Sequence, residues 1–130
     1  MPIQITIDHF NRLVVGVGQG TLALQDLVGF GLEVVQAGVV PYGKIIDLTR
    51  ATPAFSRQEL LAFAQVVREM PTNAPRGPLA MVIDPKRGEL ARLFAGVEIA
   101  GRPANVFRSI HAARRWVNAQ MHASRGEDDG

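Results

Sequence analysis

The chain has 130 residues, 47% hydrophobic and 20% charged, with a formal net charge of +2. A domain of this size buries roughly two-thirds of the surface its unfolded chain exposes, so it can close a core without metals or disulfides. There is no cysteine, which excludes a disulfide framework, a thiolate metal site and a cysteine nucleophile.

The N-terminal MPIQITIDHF lacks the basic and then apolar stretch of a secretory signal, and a cytoplasmic location is expected. Ile3, Ile5 and Ile7 alternate with Gln4, Thr6 and Asp8, the period of a half-buried strand. Asn11-Arg12 makes a turn into a second strand, Leu13 to Val17, and so short a link predicts an antiparallel hairpin. The stretch Gly18 to Thr21 is read as the end of that strand, and Thr21 as the cap of a first helix that stops at Gly38. Leu24, Leu27, Val28, Phe30, Leu32, Val34 and Val35 leave this helix almost no polar face, so it is either buried or covered by another chain. Gln25, Asp26, Glu33 and Gln36 interrupt it, whereas a bilayer-crossing helix needs about 20 mostly apolar residues. No membrane span is expected.

After the turn Pro41-Tyr42-Gly43, Lys44 to Leu48 is a third strand and Ala51 to Phe55 a predicted loop. Ser56-Arg57-Gln58-Glu59 is a capping box, with Phe55 and Leu60 placed as a hydrophobic staple. Leu60, Phe63, Ala64, Val67 and Met70 follow at helical spacing, and Pro71 ends the second helix. Leu79 to Ile83 is a fourth strand, Glu89 to Val97 a short helix, and Ala104 to Phe107 a fifth strand. Ser109 caps a last helix with an apolar stripe at Ile110, Ala113, Val117 and Met121. Residues 124–130 are small and charged, and are expected to be a disordered acidic tail.

The order β-β-α-β-α-β-α-β-α implies an α/β fold with a mostly parallel five-stranded sheet, four helices and right-handed crossovers. The first strand lies antiparallel at the edge, in one domain over residues 1–123. Charge is unevenly spread: Lys86, Arg87, Arg92, Arg102, Arg108, Arg114 and Arg115 face only Glu89 and Glu98 in that stretch. Aromatic residues are 6% of the chain and do not interleave with the arginines, so no stacking platform for nucleic acid is expected.

The segments RLVVGVGQG, PYGKIIDLTRAT, GPLAMVID, ARLFAGVE and PANVFRSIHAARRWV occur in an order and spacing that resembles the STAS domain, the fold of the anti-anti-sigma factor SpoIIAA. The chain is most similar to the bacterial SpoIIAA-like, or STAS/SEC14-domain, group. That resemblance implies a domain that binds partner proteins, in some cases under control of a phosphorylated serine at the start of the second helix. Ser56 is the nearest residue here. The family pattern Asp-Ser-Ser-Gly-Leu is replaced by Ala54-Phe55-Ser56-Arg57-Gln58-Glu59, without its acidic residue and glycine. SEC14-type relatives in fold carry lipids in an apolar pocket.

Three residue groups are candidates for chemistry. Gly16, Gly18 and Gly20, between a strand and a helix, stand where a phosphate-cradling loop would lie, with Thr21 in place of the third glycine of GxGxxG. Asp47, Arg50 and Asp84 lie at or just past strand carboxyl ends, where open parallel sheets bind ligands; Arg50 can fork onto a carboxylate or phosphate. His9, His111 and His122 show no metal-ligand spacing, and no serine sits in a G-x-S-x-G context. The reading is a non-enzymatic regulatory or interaction domain without metal or cofactor, binding a protein partner or a small anionic or lipid-like ligand through Asp47, Arg50, Ser56 and Asp84. The alternatives are a homodimer joined through the first helix, and a nucleotide-binding protein or enzyme using the Gly16–Gly20 run.

Overall fold

The computed structural model describes residues 3–69, 75–99, 102–103 and 105–129. The chain opens on a hairpin of β1 (Ile3–Asp8) and β2 (Leu13–Leu22), paired antiparallel with Ile5 opposite Gly16. Asp8 organises the turn: its carboxylate accepts from the Asn11 side-chain amide at 2.7 Å and from the Asn11 backbone N–H at 3.0 Å. These bonds hold the Asp8 carboxyl below the usual carboxylate range, because a hydrogen bond to the charged form favours it. Then follow α1 (Leu24–Gln36), β3 (Gly43–Pro53), α2 (Arg57–Glu69), β4 (Leu79–Val82), α3 (Gly88–Phe94), a small hairpin of β5 (Glu98–Ile99) and β6 (Arg102–Pro103), β7 (Asn105–Phe107) and α4 (Ile110–Asp129).

The main sheet has the order β1-β2-β3-β4-β7, with β1 antiparallel at the edge and the other pairs parallel. The fold is therefore the expected α/β arrangement of five strands and four helices. Its two faces follow from the two-residue period of strands. Val14, Ile46, Leu48, Met81 and Ile83 join the core under α1, α2 and α3, while Leu13, Ile45, Ala80 and Val82 pack with Ala113 and Val117 of α4.

Two glycines set how closely helices approach. A Cβ on Gly16 would lie 2.9 Å from Phe30 Cε2 and 3.1 Å from Ile3 Cγ2, and one on Gly43 would overlap Val117 Cγ1. Helix α1 stops as its sequence predicts. Gly38, at φ +71°, lets the Gly38 N–H donate to the Val35 carbonyl and the Val39 N–H to the Val34 carbonyl, which is a Schellman ending.

Several boundaries differ from the sequence reading. β2 does not end at the glycines: it runs to Leu22, and Thr21 pairs with Thr52. The Gly16–Gly20 run is thus strand interior, not a loop at a helix N-terminus. The cap of α1 is Ala23, whose N–H donates to the Asp26 carboxylate at 2.7 Å; Thr21 loses that role because strand pairing claims its backbone. β3 likewise continues through Ala51 to Pro53, where a loop was predicted. The small hairpin β5–β6 is too short for any periodic signal. The α4 backbone is helical to Asp129. Met70 and Pro71 lie outside the described residues.

Paired glycine substitutions test this packing. Gly43→Ala is expected to lose about 1–3 kcal/mol through overpacking against Val117. Gly29→Ala, whose Cβ meets nothing within 4 Å, is expected to gain about 0.5–1 kcal/mol from helix propensity. Urea unfolding of both variants reads the difference.

Candidate functional site

β3 passes between β2 and β4, and its alternation puts Lys44, Ile46 and Leu48 on the face that carries three helices. Lys44 is a cation in an otherwise apolar row. Its Nζ donates to the Val40 carbonyl at 2.6 Å and the Tyr42 carbonyl at 2.8 Å, so the head is fixed at the sheet end where α1 gives way to β3.

Above this row α1 and α2 leave a groove between them. α1 buries Leu27, Phe30 and Val34, and α2 buries Leu60 and Ala64. The next residues around each helix turn to the groove or its rim: Gly31, Leu32 and Val35 from α1, and Phe63, Val66 and Val67 from α2. Ile46, Leu79 and Met81 line it from β3 and β4. Phe94 lies toward the start of α2, where Arg57 donates to the Arg92 and Leu93 carbonyls, and Lys44, Arg76 and Gly77 lie at the opposite end, where β3 and β4 begin. The cavity measures about 260 Å³. Its rim is unusually apolar for a surface: Leu32 is 49%, Val35 54% and Val66 59% exposed. The missing polar face of α1 is thereby explained. One stripe enters the core and the next borders an open cavity, which needs no charge.

The residues predicted from strand ends occupy a different place. Asp47 Oδ1 accepts from the Thr49 N–H at 3.0 Å and the Thr49 hydroxyl at 2.8 Å. This local turn coincides with the bulge between β2 and β3, where the register shifts between Val17–Asp47 and Gln19–Arg50. Asp84 Oδ1 accepts from the Lys86 N–H at 2.9 Å. Arg50 is exposed. Ser56 forms the expected capping box: its Oγ accepts from the Glu59 N–H at 3.1 Å, and Glu59 Oε1 accepts from the Ser56 N–H at 3.2 Å.

Asp84 therefore stands just past the end of β4, whereas Asp47 and Arg50, expected at a strand end, lie inside β3, because its pairing with β2 resumes beyond the bulge and runs on to Pro53; Ser56 follows at the start of α2. Arg87 ties this end together by donating to the Thr52 hydroxyl at 2.7 Å, beside Glu89 at 3.9 Å. Sequence reasoning missed Lys44, Arg76 and the α1–α2 groove. A lysine on the inward parity of a strand was the available signal for the first. His9 is exposed, and its Nδ1 lies 2.9 Å from the Tyr42 hydroxyl. Among the described residues no group of three or more His, Asp or Glu side chains is placed to hold a metal, and no helix is long and apolar enough to cross a membrane.

Sheet order, the antiparallel edge strand and the division of three helices against one define a SpoIIAA-like α/β fold. A crystallised protein of the DUF3478 family from Shewanella loihica PV-4, described as uncharacterized and as having a SpoIIAA-like fold, superposes with a TM-score of 0.56. The match is at 16% identity over 88% of this chain and 91% of that one. No protein-family model and no curated protein matches the chain.

The capping role of Ser56 is open to measurement. Ser56→Ala is expected to lose about 1 kcal/mol, or roughly 4 °C in Tm, while Ser56→Asp keeps most of the stability because aspartate caps comparably. Thermal unfolding of the two variants checks the order.

Proposed function

We propose that the chain is a non-enzymatic, cytoplasmic binding domain of STAS type, formed by residues 1–123, that takes an apolar ligand moiety into the groove between α1 and α2. The observation that supports this is the 260 Å³ cavity under an exposed aliphatic rim. Ligand sites are concave and mostly apolar, with few polar groups placed at one point, and an engineered apolar cavity of about 150 Å³ already binds benzene. In this reading Asp47, Arg50, Ser56 and Asp84 form the end of the domain offered to a protein partner, with Arg50 and Ser56 exposed there.

Gly31 gives a clean test, since it lines the groove and a Cβ built on it meets nothing within 4 Å. Gly31→Leu places a side chain in the cavity and raises helix propensity by up to about 1 kcal/mol. Fluorescence titration with N-phenyl-1-naphthylamine, a neutral apolar probe, is expected to show binding to the native chain and at least about tenfold weaker binding to the variant. Equal affinity in a variant that unfolds normally would reject the groove.

A second reading is a homodimer through the same helix, favoured by the row Val28, Leu32 and Val35 on the exposed side of α1. A stable interface covers about 800 Å² per partner. Sedimentation equilibrium decides: this reading expects a native dimer that Leu32→Glu dissociates, and a native monomer at high concentration removes it.

A further inference from the structure

Resting on the groove as a ligand site, we infer that its occupant is a single-chain anionic amphiphile, with the acidic head held at the Lys44–Arg76 end and the chain directed toward Phe94. The two ends of the groove differ in kind. Phe94 is fully buried and belongs to the core cluster with Met81 and Leu90, so that end offers only carbon. At the opposite end the Val40 carbonyl accepts from Lys44 Nζ, and Arg76, the residue before Gly77, also lines the groove. The Gly77 N–H is itself committed to the Val40 carbonyl at 3.0 Å.

Lys44 is anchored by two carbonyls rather than swinging in solvent. Its charge is therefore held at a fixed point at the end of the groove where β3 begins. A fixed cation in a partly desolvated apolar cleft favours an anionic group there and disfavours a cationic one. A neutral apolar occupant would gain nothing from it.

The volume limits the chain. If about 150 Å³ holds the six carbons of benzene, the 260 Å³ here holds roughly ten by proportion. A second acyl chain would have to lie outside, along the exposed Leu32 and Val66. The site thus fits one medium chain with one acidic head, not a two-chain lipid.

Calorimetric titration of the native chain with decanoate, decanol and decyltrimethylammonium separates head from tail. Decanoate is expected to bind at least about tenfold more tightly than decanol, the scale of a hydrogen bond to a charged group, and the ammonium ligand most weakly. Arg76→Gln and Lys44→Met should each remove most of the decanoate preference and leave decanol affinity within about twofold; Arg76→Gln provides the reading if Lys44→Met does not fold. Decanoate and decanol binding equally well to the native chain, with Gly31→Leu still abolishing both, overturns the polarity and leaves the groove standing. Binding of all three that Gly31→Leu does not reduce overturns the groove reading as well.

Discussion

β3 is hydrogen-bonded on both sides within the five-stranded sheet, to β2 and to β4, so its two-residue side-chain period is held by both neighbours. A slip of one residue would exchange its faces. Ile45 would leave the layer beneath α4, and Lys44 would leave the three-helix side for a surface against which Val117 packs. The position of Gly43 guards against this: α4 approaches so closely there that any side chain would collide with Val117. The groove, its charged end and the seat of α4 all descend from that one register.

The same constraint explains why α1 reads so strangely as a sequence. A helix laid on a sheet needs one apolar stripe of about 100°. α1 has that stripe in Leu27, Phe30 and Val34, and a second beside it in Val28, Leu32 and Val35. Gly29 and Gly31 sit among them without close neighbours at the Cβ position. The Gly31 position keeps the groove wall thin, so an unfavourable helix residue contributes directly to the cavity.

The strands and helices were largely legible from the chain itself. Ile3, Ile5 and Ile7 announced an edge strand by strict alternation, and Ser56 with Glu59 announced the start of α2 by a reciprocal hydrogen-bond pattern that needs no tertiary partner. Thr21 and Ala51 misled because strand pairing between β2 and β3 continued past the point where local composition turned loop-like. The groove was illegible for a different reason. Lys44 and Arg76 are more than thirty positions apart, and neither carries a local pattern that marks it as lining a cavity. Asp84 follows the end of β4 as the sequence predicts, but Asp47 lies inside β3, whose pairing with β2 resumes past the bulge; each carboxylate accepts from the residue two positions on, a local use that a sequence cannot distinguish from ligand contact.

The hairpin at the start of the chain has a kinetic meaning. Among the described residues of the main sheet, β1–β2 is the one pairing closed by a tight turn, whereas each parallel pairing encloses at least one helix. A hairpin forms in about 1–10 μs, but pairings between distant segments must first meet their loop-closure entropy. The slow event is accordingly the closing of the parallel pairings, two of which β3 makes. Changes that weaken the Asp8–Asn11 turn alter an early, rapidly reversible event, and those in β3 alter the slow one.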